Sequence, residues 1–107
     1  MKSVTLDTET TGLDPQQGHK VIEIGCVELH NNFPTGRTWQ RYINPERNMP
    51  LEAYQIHGIT EEFLSDKPTF NEIADEFLSF IEGSTLIIHN ANFDLKFLNF
   101  ELDKIKK

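Results

Sequence analysis

From Pro68 onward the chain alternates helix, strand and helix, and that alternation restricts it to an α/β architecture. Thr69 and Glu72 have capping-box spacing directly after Pro68. Phe70, Ile73, Ala74, Phe77, Leu78 and Ile81 then recur at helical period until Gly83, which predicts an amphipathic helix over 70–81. Leu86-Ile87-Ile88, inside Thr85 to His89, is a short unbroken apolar run, the pattern of a central strand buried between two helices. Asn90 is placed to cap a last helix. There Phe93, Leu95, Phe97, Leu98, Phe100, Leu102 and Ile105 point several ways, as in a helix buried on more than one side.

The first half reads as strands. In Ser3 to Glu9, Val4 and Leu6 alternate with Thr5 and Asp7, and Thr10-Thr11-Gly12 with Asp14-Pro15 ends the run. Val21 to Leu29 pairs with Arg37 to Ile43 as an antiparallel hairpin across the turn-forming cluster Asn31-Asn32-Phe33-Pro34-Thr35-Gly36. Trp39, Tyr42 and Ile43 read as packing residues of that hairpin, although an aromatic near a site could also stack on a base. Asn44-Pro45 closes it, and Pro50 opens a short helix that Gly58 stops. The expectation is one mixed sheet with flanking helices. No later element would cover the far side of the last helix, so the chain reads as truncated at its C-terminus, with 1–107 an N-terminal portion of a single domain. Lys104, Lys106 and Lys107 read as a solvated helix end that suits the macrodipole.

Charge narrows the chemistry. Ten Lys+Arg against 17 Asp+Glu give a net charge of −7 over 107 residues. An acidic chain does not hold nucleic acid through a basic face, so any phosphate chemistry falls to metal ions on carboxylates. With 37% hydrophobic and 25% charged residues, collagen-like and disordered classes are excluded. No apolar run approaches the roughly 20 residues of a membrane span, and Asp7 breaks any leading signal-peptide core, so the expected location is cytoplasmic, away from membranes. Cys26 has no partner for an internal disulfide, and no Cys/His cluster has zinc spacing.

Asp7 and Glu9 are two apart on the first strand, so both carboxylates project from one face, where they can converge on a hard cation. Paired acids near a strand end are also ordinary surface residues; what favours chemistry is the Thr/Gly loop directly behind them, the usual place for active groups on α/β sheets. Asp94 falls in the first turn of the last helix, where an acid suits the helix N-terminus in any case. If the first strand and the Leu86-Ile88 strand are neighbours, Asp94 comes toward Asp7 and Glu9, and three carboxylates could hold two divalent ions at a phosphodiester.

Four segments together carry a resemblance: Leu6-Asp7-Thr8-Glu9-Thr10-Thr11-Gly12-Leu13-Asp14, Gly18-His19-Lys20-Val21-Ile22-Glu23-Ile24-Gly25, Ile56-His57-Gly58-Ile59 and His89-Asn90-Ala91-Asn92-Phe93-Asp94. In order and spacing they are similar to the DEDD-type (DnaQ-like) 3′-to-5′ exonucleases, and within them to the epsilon-type proofreading branch. The resemblance covers nearly the whole chain. It implies a ribonuclease H-like fold and phosphodiester hydrolysis with two Mg²⁺ or Mn²⁺ ions. The implied partners are a single-stranded or mismatched 3′ end of DNA and the core subunits of DNA polymerase III. Asp7 and Glu9 match the first-motif metal ligands and Asp94 the second-motif acid. Asp7, Glu9, Glu52 and His57 match residues on the substrate side. On a regular helix Glu52 and His57 stand roughly 140° apart, so they share a face only if the helix ends between them, which Gly58 makes plausible.

The third motif of the family, a histidine followed five residues later by an aspartate, has no counterpart, since no histidine follows Asp94. In the family that histidine is the general base and the aspartate a further metal ligand. His19 and His30 read as solvated or locally hydrogen-bonded. Two alternatives to an active exonuclease therefore stand: a catalytically inactive remnant acting only as a nucleic-acid or polymerase-binding module, and an acidic α/β interaction domain.

Overall fold

The computed structural model describes residues 1–106 and shows a four-stranded mixed sheet in the order β3-β2-β1-β4. The strands are β1 (Lys2–Thr10), β2 (Val21–His30), β3 (Phe33–Tyr42) and β4 (Thr85–Ile88). The helices are α1 (Leu51–His57), α2 (Glu61–Leu64), α3 (Phe70–Ile81) and α4 (Ala91–Lys104), with a 3-10 turn at Pro15–Gln17. β1 runs antiparallel to β2 and parallel to β4, with Leu6 opposite Ile88. The ends of β1 and β4 therefore emerge side by side, and the chain leaving β4 enters α4 beside Asp7 and Glu9.

Period-two alternation on β1 and β2 puts Val4, Leu6, Ile24 and Cys26 on one face, where α3 and α4 cover them. α3 supplies Phe70, Ile73, Ala74, Phe77 and Phe80, and α4 supplies Phe97 and Leu98. The capping box forms as expected, with the Thr69 amide donating to Glu72 Oε1 at 2.9 Å. Phe80 lies in the core in place of Leu78 and Ile81, which are only partly buried. Trp39 packs on Phe77 with ring centroids 5.6 Å apart and donates to Glu76 Oε1 at 2.6 Å, tying β3 to α3. The opposite sheet face, with Thr5, Asp7, Gly25, Val27 and Ile87, carries no covering element among the described residues.

Several expectations fail for physical reasons. The hairpin turn is only Asn31-Asn32, both at positive φ (50° and 71°), the geometry that matches strand twist in tight hairpins. Phe33 to Gly36 continue β3 instead; as an edge strand β3 tolerates Pro34, and the register shifts between Val27 and Leu29. Ile43 falls just past the strand. β4 is an edge strand and Ile87 is 46% exposed, so the apolar run reflects a position beside β1 and not burial on both faces. α4 buries one stripe, Asp94, Phe97, Leu98 and Glu101, at helical spacing. Phe100 and Leu102 are only partly covered and Leu95 is 36% exposed; Lys104 lies over the Phe100 ring at 5.3 Å. Asn90 stands at the N-cap position without a side-chain capping bond. Lys107, part of the expected basic helix end, lies outside the described residues.

Candidate active site

The site forms where β1 ends. Glu9 pairs with Glu23 across β2, and the register slips by one residue between Glu9 and Thr10. Such bulges re-aim the side chains beside them. Thr11, Gly12 and His19 then lock the loop that follows. The Thr11 hydroxyl accepts from the Lys20 amide at 3.0 Å and lies 3.0 Å from His19 Nδ1. That pair is a hydrogen bond whose direction follows the tautomer of the imidazole. Burial and the nearby Arg47 charge hold the His19 pKa below the usual value. The ring lies flat over Gly12, where an added Cβ would come within 2.5 Å of three ring atoms, so only glycine fits there.

Asp7 and Glu9 share one face of β1, as the period requires. Asp94 arrives from the helix side and is only 4% exposed. Its Oδ1 accepts from the Thr8 hydroxyl at 2.6 Å, while Asp7 Oδ1 accepts from the Thr8 amide at 3.0 Å. Burial first, then the charges of Asp7, Glu23 and Asp94, push the Glu9 pKa up. Burial also raises Asp94, with Asp7 adding to it and the Thr8 hydrogen bond opposing. The structure thus brings the three acids within mutual electrostatic reach. None of them has an ion-pair partner among the described residues. Nor, among those residues, are three potential ligands already drawn together closely enough to hold a metal ion. Like charges with no cation between them repel.

A cleft of about 410 Å³ opens at Glu9, the one of the three acids that lines it; it is walled by Glu9, the Thr10 to Leu13 loop, Gln17 and His19 on one side and by α1 on the other, with Phe93 also lining it. Glu52 and His57 both face it, although α1 does not end between them. The helix presents the adjacent pairs Glu52/Ile56 and Ala53/His57, and a cleft wrapping that broad stripe spans the angle. Gly58, at φ 71°, ends the helix one residue later. His57 Nδ1 accepts from the Ile59 amide at 3.0 Å, so its neutral ring carries the proton on Nε2, which is buried without a hydrogen-bond partner. Burial lowers its pKa, against the Thr10 carbonyl and Glu23. A larger, shallower hollow of about 790 Å³ on the bare sheet face touches the acids only at Asp7.

Thr8, His19 and Phe93 are site residues that sequence reasoning passed over. Thr8 stands between the two first-strand acids, which was the available signal. His19 and Phe93 fall in two of the resembling segments, yet only folding shows that they line the cleft.

Residues 4–107 match the family model described as Exonuclease, RNase_T. DNA polymerase III subunit epsilon of Rickettsia typhi is 63% identical over 107 residues, covering 100% of this chain and 47% of that protein. The chain spans about half the length of the curated relatives it matches. Among solved structures, exonuclease X in complex with 5′ overhanging duplex DNA is 28% identical with a TM-score of 0.69, over 88% of this chain and 52% of that one. An exonuclease I structure reaches a TM-score of 0.83 at 18% identity, over 96% of this chain and 24% of that one, a likeness of fold.

Proposed function

The chain belongs to the RNase_T exonuclease family, and on that premise we propose that it removes nucleotides from DNA 3′ ends as the nuclease portion of a proofreading epsilon subunit. One observation carries this reading: Asp7 and Glu9 near the end of β1 and Asp94 in the first turn of α4 stand within electrostatic reach of one another without an ion-pair partner among the described residues, and Glu9 also lines the cleft that holds Glu52 and His57. The donor set fits Mg²⁺ or Mn²⁺, hard cations that take carboxylate oxygens, and positive charge would offset the repulsion that adds to burial in raising the Glu9 and Asp94 pKa values. Asp7, Glu9 and Asp94 would hold the ions, which when bound activate water and stabilise the leaving oxygen of a phosphodiester.

The chain's own residues do the rest. His57 and Glu52 line the cleft from α1 and would contact the terminal nucleotide there, the Glu52 carboxylate as an acceptor. Phe93 gives the cleft an apolar surface suited to a base or sugar. The cleft, about 410 Å³, is of small-ligand size and admits a single unpaired nucleotide more readily than a duplex end. The epsilon relative and the DNA-bound exonuclease X support DNA as substrate and the polymerase III core as partner. A cytoplasmic site of action goes with that reading.

The test is a 3′-labelled single strand incubated with Mg²⁺, with Mn²⁺ or with chelator. Release of nucleoside monophosphate is expected only with a divalent ion, and Asp7→Ala or Glu9→Ala should abolish it. Because no histidine follows Asp94, a longer chain carrying His-x-x-x-x-Asp should turn over at least about 10²-fold faster, the usual worth of a general base. Unchanged turnover in either alanine variant would overturn the assignment of the acids. Nucleotide binding without turnover even in the longer chain would leave a binding module.

A further inference from the structure

We propose that Thr8 is a positioning residue for the cation site, its hydroxyl orienting the Asp94 carboxylate and its backbone amide the Asp7 carboxylate. The proposal rests on the reading of Asp7, Glu9 and Asp94 as cation ligands. The 2.6 Å bond from Oγ1 to Asp94 Oδ1 joins β1 to the first turn of α4 across 86 residues of sequence, and the 3.0 Å bond from the amide to Asp7 Oδ1 holds the neighbouring acid on β1 itself. Thr8 is 9% exposed and Asp94 4%, so water does not readily substitute for the hydroxyl.

The neighbouring threonines show that this arrangement is particular to Thr8. The Thr10 hydroxyl donates to the Gly12 carbonyl at 2.6 Å, and that of Thr11 serves His19 and Lys20. Those two shape the loop, whereas both Thr8 donors end on acids of the site. A β-branched side chain in a strand has few χ1 choices, so the hydroxyl direction is set by the backbone. Each bond engages one carboxylate oxygen. An ionised carboxylate has about four acceptor positions, so Asp7 and Asp94 keep free oxygens for a cation while their rotation is restricted. Partners of this kind typically govern about 10- to 100-fold in metal affinity.

The experiment is Mn²⁺ titration of this chain followed by electron paramagnetic resonance, with unfolding midpoints measured in chelator alongside. Thr8→Val should weaken Mn²⁺ binding by about 10-fold or more, and Thr8→Ser should restore it close to wild type, a rescue that a purely structural role would not give. If Thr8→Val does not fold, Thr8→Ala is read in its place. Wild-type Mn²⁺ affinity in Thr8→Val or its substitute, with binding lost in Asp7→Ala, overturns the positioning role and leaves the cation-site reading intact. Equal weakening in Thr8→Ser and Thr8→Val also overturns it, since the hydroxyl is then not what matters. A wild-type chain that binds no Mn²⁺ overturns both.

Discussion

Near the start of β1, opposite Val4, Glu28 is 5% exposed and fully served. It accepts from the Thr35 hydroxyl at 3.0 Å and from Arg37 Nη1 at 2.9 Å, with Lys2 Nζ at 3.9 Å. At the other end of the same strand Asp7 and Glu9, with Asp94 from α4, have no ion-pair partner among the described residues. Glu9 even faces Glu23 directly across the strand pair, an arrangement that destabilises a sheet. The fold can compensate a buried carboxylate, and it does so at Glu28. Where three acids have no ion-pair partner among the described residues, their negative potential is what the proposed cation would meet, and their mutual repulsion costs the fold some stability.

The sharpest way to break this contrast is to give Glu28 the treatment the site acids receive. Arg37→Ala removes its nearest cation, which also lies over the Phe80 ring at 5.1 Å, and should destabilise the chain by about 1–3 kcal/mol in urea unfolding. No loss would mean that Lys2 and Thr35 suffice, and that the two regions differ less than their contacts suggest.

The converse change is smaller and opposite in sign. Glu9→Gln should stabilise the metal-free chain by about 0.5–1 kcal/mol, within the range found when strained functional sites are relaxed. The gain should shrink or reverse in Mg²⁺, because a cation that binds only the folded wild type stabilises it by mass action. Destabilisation in chelator would show that Glu9 contributes to the fold.

The smallest effect concerns pH. A carboxyl whose folded pKa is raised is unfavourable while ionised, and the penalty fades as pH falls through that raised value toward the unfolded one near 4.5. Protonation then does what the glutamine does. The stability difference between Glu9→Gln and wild type should therefore be largest at neutral pH and should close as the pH is lowered toward about 4. Since burial raises Glu101 as well, only the difference between the two proteins isolates Glu9. A gap that stays constant would remove the electrostatic basis of the contrast.

Much of this was legible in the chain itself. The capping residues Thr69 and Glu72, the stripe from Phe70 to Phe77, and the alternation along β1 specify their elements because backbone geometry gives helices and strands fixed periods. Asp7 and Glu9 had to share a face for the same reason. The Asn31-Asn32 turn was misjudged because neighbouring Phe33-Pro34-Thr35-Gly36 carries turn-like residues that an edge strand also tolerates.

What the sequence determined by itself, then, is the local part: which segments are helix or strand, and which acids flank one strand end. Tertiary structure decided how those parts meet. The parallel pairing of β4 with β1 carries Asp94 to the acids, and the seat of α4 lets Glu101 accept from the Val21 amide at 2.8 Å. Folding likewise aims the Thr8 hydroxyl at a carboxylate 86 residues away and lays His19 over Gly12. Periodicity reports a residue's immediate neighbours along the chain, whereas these contacts depend on strand order and helix placement, which the packing of the whole core selects.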